Sequence, residues 1–330
     1  MTTLAAADAA NPSLSMTSGH LLWSSAAVLA LAMLAFCVDL AGGPGREARA
    51  AARREQAATA VAADGGDTAV LTQVEAPAEV PEKRQWAGIG MSLAWLGTFL
   101  LLGAVLTRGL SVMRPPLGNM YEFALAGSSF AMVCYLLWSL RRDVRWLGAF
   151  VTGAVVLVQM AAALIFYTAA SQLMPSLQSP WLSIHVTVAT LSVGLFILAA
   201  AVHLLYFLQA KREDGGLRRF GFLRSVPDAA TLDRTAYGVL IVAFPLWTFT
   251  LIAGAIWADK AWGRYWGWDP KEVWTLVIWV LYAAYLHARM TAGWSGRKAA
   301  WVAMAGFACV LINYGIVNVY FVGQHSYSGM

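Results

Sequence analysis

Charge is scarce in this chain of 330 residues: Asp, Glu, Lys and Arg together make up 12%. Soluble domains carry about 25%. Hydrophobic residues make up 59%, and mean hydropathy is +0.60. A surface built from so few charges would expose wide apolar patches, which excludes a water-soluble globule and extensive disorder. Cysteine is scarce too. Cys37, Cys134 and Cys309 all lie inside apolar runs, far apart, and no C-x-x-C pair occurs. That excludes a thiol redox motif, a zinc knuckle and a covalent c-type haem attachment sequence. P-loops and internal repeats are missing, so nothing supports an ATP-driven pump. No Ser/His/Asp or Cys/His constellation for nucleophilic catalysis is found. The net charge of +5 reads as a topology signal rather than a nucleic-acid patch.

What the chain does have is long apolar runs. A hydrocarbon core of about 30 Å needs about 20 apolar residues as a helix. Eight candidates occur, over 21–40, 87–107, 120–140, 146–168, 183–208, 235–257, 271–288 and 299–322. The expected fold is an all-α polytopic membrane bundle. The first run lacks a basic leader and an A-x-A-like cleavage site, so it reads as a retained span. Alternate loops hold eighteen of the 23 basic residues, and the other side holds Arg108, Arg114, Lys260, Arg264 and Lys271. The positive-inside rule puts the eighteen in the cytoplasm, with both termini and the loop 258–270 outside. The expected organisation is an N-terminal span (1–40), a cytoplasmic linker (41–86) and a membrane domain (87–330). Within the linker, 46–63 reads as a surface helix and 64–82 as flexible chain. Gln159, Asn313 and Asn318 are expected to hydrogen-bond between helices.

Tryptophan is the second surplus. Five of the 15 Trp fall in the external loop 257–274, W-A-D-K-A-W-G-R-Y-W-G-W-D-P-K-E-V-W. An interfacial aromatic belt is the common explanation. It does not account for the interleaved Gly263, Gly267 and Asp269. Glycines permit close backbone approach, and indoles give wide apolar contact with a polar edge. The loop suits a large planar ligand. Asp269-Pro270-Lys271-Glu272 is also a helix start, with Asp as N-cap and Glu at N3. Capping and ligand positioning can coexist there.

The run W-G-R-Y-W-G-W-D-P-K-E-V-W at 262–274 resembles the WWD signature of haem-handling cytochrome c assembly proteins. The whole chain is most similar to their CcsA/ResC type of the system II pathway, called CcsB in some bacteria. The likeness covers about 86–330. It includes Pro115-Pro116-x-x-Asn119-x-Tyr121-Glu122 and Gly323-x-His325-Ser326-Tyr327.

Five histidines occur. A lone His in a bundle is commonly a hydrogen-bonded core residue. His185, at the outer start of the fifth span, and His325, past the outer end of the eighth, flank the Trp loop's face and can supply two axial ligands to a haem iron. The resemblance implies that role for both. It implies that His287, at the inner end of the seventh span, ligates haem on the cytoplasmic side, with the second ligand from a ResB-type subunit. His203 lies about 27 Å along the fifth span from His185 and reads as helix packing or a second inner ligand. His20 borders the first span. Arg264 or Lys260 can pair with haem propionates or remain solvated. Asn119 and Glu122 either orient the outer loops or touch haem.

The resemblance thus implies a bacterial plasma-membrane protein that carries haem b outward. It would present haem on Trp262, Trp266 and Trp268, with Asp269 alongside, for thioether attachment to an apocytochrome C-x-x-C-H motif. Partners implied are the ResB-type subunit, the apocytochrome and a thiol-reducing pathway, with no nucleic acid. A haem relay without lyase activity, and a transporter or channel for another substrate, are the alternatives. A transporter is disfavoured because nearly all charge sits at span ends.

Overall fold

The computed structural model of the chain describes residues 11–63, 84–173, 178–217 and 219–325. Every regular element among them is helical. Helix α1 spans Pro12–Ala63, α2 Gln85–Val112 and α3 Met120–Ser139. A 3-10 turn at Arg145–Leu147 leads into α4, Gly148–Leu164. Then come α5 Pro180–Glu213, α6 Ala229–Trp262, α7 Pro270–Thr291 and α8 Arg297–Ile312. A π-helical turn at Asn313–Val317 and a last turn at Asn318–Tyr320 extend α8. Among the described residues, eight helical stretches are long and apolar enough to cross a membrane, so the chain is a multi-pass membrane protein.

The spans fall where the apolar runs are, but the helices overrun them. Helix α5 continues through Lys211 and Arg212 in its last turn. Helix α6 begins at Asp228, whose side chain accepts from the Thr231 N–H as N-cap. Polar end turns satisfy the backbone as well as apolar ones do, and apolar windows miss them. The separate surface helix expected over 46–63 is instead a continuation of α1. The flexible linker expected over 64–82 lies outside the described residues.

Without water to drive packing, small residues and buried hydroxyls bring the helices together. Ser18 Oγ donates to the Ala104 carbonyl at 2.7 Å and Ser25 Oγ to that of Gly97 at 2.8 Å, locking α1 to α2. Gln159 Nε2 on α4 donates to Ser25 Oγ at 3.2 Å, an expected interhelical bond. Ser192 Oγ joins α5 to the Ala243 carbonyl on α6 at 2.9 Å. Asn313 departs from expectation. Its Oδ1 is buried without a hydrogen-bond partner, and its backbone carbonyl accepts from Lys271 instead. Asn318 faces a cleft.

Successive helices reverse direction, so the α2–α3, α4–α5 and α6–α7 loops and the tail after α8 share one end. Contacts tie that end together. Asn11 N–H donates to the Ser111 carbonyl at 2.7 Å. Arg108 Nη2 donates to the Thr168 carbonyl at 2.6 Å. Tyr314 Oη donates to that of Met120 at 2.8 Å. The opposite end is held by a buried ion pair, Arg289 Nη1 with Asp233 Oδ2 at 2.7 Å.

Candidate functional site

Two adjoining clefts open at the loop-bearing end. His185, Lys271, His325, Phe123 and Tyr314 line both. The two histidines lie 140 positions apart in sequence, and the fold puts them on the wall that the clefts share.

His185 sits in the second turn of α5, which Ser179 caps by accepting from Trp181 N–H at 3.2 Å. Its Nδ1 lies 2.9 Å from the Thr250 carbonyl on α6. A carbonyl only accepts, so Nδ1 carries the proton and Nε2 the lone pair. Gly254 makes room for the ring: a Cβ there would come within 2.7 Å of His185 Cε1. The His185 ring lies nearly parallel to Trp257, with centroids 6.1 Å apart and planes 12° apart.

His325 follows the last turn of the chain. Its Nδ1 is 2.8 Å from Asp269 Oδ2, which sets the same tautomer and fixes the ring, as carboxylates do for metal-ligating histidines. The ring stands edge-on to Trp257 at 5.7 Å and to Trp262 at 5.0 Å. Trp257, only 1% exposed, therefore touches both imidazoles.

Asp269 caps α7 and also bonds His325. Oδ2 accepts from Lys271 N–H at 3.2 Å in a full capping box, with Glu272 Oε2 accepting from Asp269 N–H at 3.1 Å. Oδ1 accepts from Gln324 N–H at 2.7 Å. Gly323 permits this approach, since a Cβ there would overlap Asp269 Oδ1. Burial pushes the Asp269 carboxyl up. The hydrogen bond from His325 and the Gln324 and Lys271 N–H donors outweigh it and hold the carboxyl below its ordinary range. Trp268, directly before it, has φ +60°, a strained value for a bulky side chain.

The remaining tryptophans do not form one flat surface. Trp266 lines the first cleft. Trp268 is 73% exposed and stands at 88° to Trp266. Trp262 packs on Trp257 at 4.7 Å. Arg264 bridges loop and tail, donating to Glu272 Oε1 at 3.4 Å and to Gln324 Oε1. Lys260 is 61% exposed beside Asp259.

Asn119 and Glu122 both make structural contacts, and Asn119 also lines the second cleft. Asn119 Oδ1 caps α3 by accepting from Glu122 N–H at 2.9 Å. Glu122, fully buried, pairs with Arg108 Nε at 3.0 Å and Arg114 Nη1 at 2.8 Å. His203 is core: it is buried, its Nδ1 bonds the Ala199 carbonyl at 2.9 Å, and its ring meets Tyr285 edge-on. His287 is exposed near the far end of α7, away from both clefts, and His20 is exposed on α1.

Lys271 and Trp257 are the residues that sequence reasoning missed. Lys271 was legible only as a topology charge, and Trp257 only as the edge of a Trp-rich run. Two imidazoles with fixed tautomers, indole walls and an amine make a donor set that fits a flat ligand carrying a six-coordinate metal.

Residues 117–325 match the model of the cytochrome C assembly protein family. A cytochrome c biogenesis protein CcsA of Heterosigma akashiwo is 35% identical over 245 residues, covering 64% of this chain and 76% of that one. CcsA of a Synechococcus strain is 32% identical over 311 residues, covering 76% and 88%. Among solved structures, Cytochrome c Heme Lyase CcmF superposes with a TM-score of 0.60 at 16% identity. It covers 96% of this chain, which spans 50% of that one, and the likeness is one of fold.

Proposed function

Because the chain belongs to the cytochrome c assembly family, among its CcsA-type members, and so serves cytochrome c maturation, we propose that it delivers haem b across the membrane and presents it for covalent attachment. The observation that carries this reading is the pair His185 and His325. Both line the same two clefts, and each is oriented through Nδ1 by a fixed acceptor.

In this reading the loop-bearing end faces outward in a bacterial plasma membrane, N-out and C-out, as the basic-residue asymmetry favours. His185 and His325 hold the substrate's iron axially, and Asp269 keeps His325 in register. Trp257, Trp262 and Trp266 wall the site, and Trp268 lies at its rim, available to an incoming polypeptide. Each cysteine of an apocytochrome C-x-x-C-H motif adds its S–H across a haem vinyl group. The sulfur bonds one vinyl carbon and the proton passes to the other, so no electrons are lost. The thiols must arrive reduced, which calls for a thiol-reducing pathway. The cytochrome's own His then displaces one external imidazole. The chain contributes proximity and orientation, while the reactivity belongs to the porphyrin.

His287 is assigned to an inner haem site. Its exposure on α7 fits a ligand completed by another subunit, and an ionisable group on a span calls for a partner. A ResB-type membrane subunit is the partner proposed.

The test is an optical spectrum of the purified chain, with and without that subunit. A b-type Soret band with low-spin iron is expected. His185→Ala and His325→Ala should each lose the low-spin signature, and added imidazole should restore it. Unaltered spectra and unaltered cytochrome synthesis in both variants would remove these residues from the mechanism.

A further inference from the structure

Lys271 makes one side-chain hydrogen bond within the fold. It occupies the first turn of α7, where a cation opposes the helix dipole. Its Nζ donates to the Asn313 carbonyl at 3.1 Å. Among the described residues no salt bridge joins its Nζ to a carboxylate, and the Asp269 charge acts on it only at longer range. Both neighbouring acids are engaged elsewhere. Asp269 accepts from His325, Gln324 N–H and the Lys271 backbone. Glu272 accepts from Gly267 N–H, Asp269 N–H and Arg264.

An ammonium carries three donors and no acceptor. Two of those donors remain after the bond to Asn313, and Lys271 lines both clefts beside His185 and His325. A charge held among aromatic walls without a close ion pair is costly. The ligand that would satisfy this corner is a flat apolar body carrying a carboxylate.

We propose that Lys271 is the counter-charge for a propionate carboxylate of the porphyrin held between His185 and His325. The proposal rests on the haem reading above. It assigns the propionate to the half-buried amine in the cleft wall rather than to Arg264, which is tied to Glu272 and Gln324, or to Lys260 on the surface. It makes Lys271 a positioning residue: by fixing one propionate it sets the rotation of the ring about the iron, and so where the vinyl edge lies.

The test titrates the purified full chain with iron protoporphyrin and, separately, with its dimethyl ester, which has no free carboxylate. Affinity and the low-spin band are read for wild type, Lys271→Met, Lys271→Arg and the remote control Lys298→Met. Wild type should prefer the free acid by about tenfold or more, the scale of one charged hydrogen bond. Lys271→Met should lose that preference by weakening free-acid binding alone. Lys271→Arg should keep most of it, and Lys298→Met all of it. Equal affinities of wild type for the two porphyrins, or an equal loss for both in Lys271→Met, would overturn the proposal while leaving the haem reading intact. Absence of a low-spin band with either porphyrin in wild type would overturn both.

Discussion

Two buried carboxylates sit at the same end of the bundle and do opposite things. Glu122 is closed by the chain itself: Arg108, Arg114 and Gly118 N–H take its oxygens. Arginine cannot ligate a metal, and its charge does not change at any relevant pH. That network pins the α2–α3 loop to the α4–α5 loop, and its work ends there. Asp269 instead holds a histidine, 2.8 Å from His325 Nδ1, and leaves the lone pair on Nε2. A carboxylate spent on arginine builds a wall, and one spent on histidine builds, in the proposed function, a ligand.

The largest effect should come from breaking the wall. Glu122→Ala leaves Arg108, 1% exposed, buried without its counter-charge, and removing one partner of a buried pair costs about 3–5 kcal/mol. Thermal unfolding in detergent should show it, with poor insertion as a second sign. Asp269→Ala should cost less, about 1 kcal/mol for the lost cap, yet weaken haem retention by roughly 10–100-fold through the freed His325. If Asp269→Ala proves the more destabilising, or Glu122→Ala the more damaging to ligation at equal stability, the contrast is wrong. Gly323→Ala sharpens it. The added Cβ would overlap Asp269 Oδ1, so haem retention should fall while the melting temperature shifts by no more than an overpacked site allows, about 1–3 kcal/mol.

The sequence carried local features well and distant ones poorly. Eight spans are legible because membrane thickness sets a length that composition can meet. The capping box at Asp269 is legible because its partners lie three residues apart. Overrun helix ends are not, since polar turns look like loop. The role of Glu122 needs Arg108, fourteen residues back on another helix. That His185 and His325 share a wall follows from tertiary packing, and only the resemblance to a family anticipated it. Lys271 was hidden for a different reason. Its neighbours in sequence are a proline and a glutamate at a helix start, and only the cleft shows an ammonium that faces the site with no salt bridge of its own.

The smallest expected effect concerns Asp269 alone and tests whether its charge matters. Its carboxyl is held below the ordinary range in the folded chain, against about 3.9 unfolded. The unfolded state therefore binds the proton first as pH falls. Stability from the carboxylate is fully present above the unfolded value and is lost as pH drops through the folded one. Asn caps a helix about as well as Asp but does not titrate. The melting temperature of wild type should exceed that of Asp269→Asn near neutrality, and the gap should narrow only below about pH 4. Because the gap reports a carboxylate facing His325, a gap that stays constant to pH 3 would mean that Asp269 acts as a cap alone, and His325 would then owe its orientation to the tail rather than to this charge.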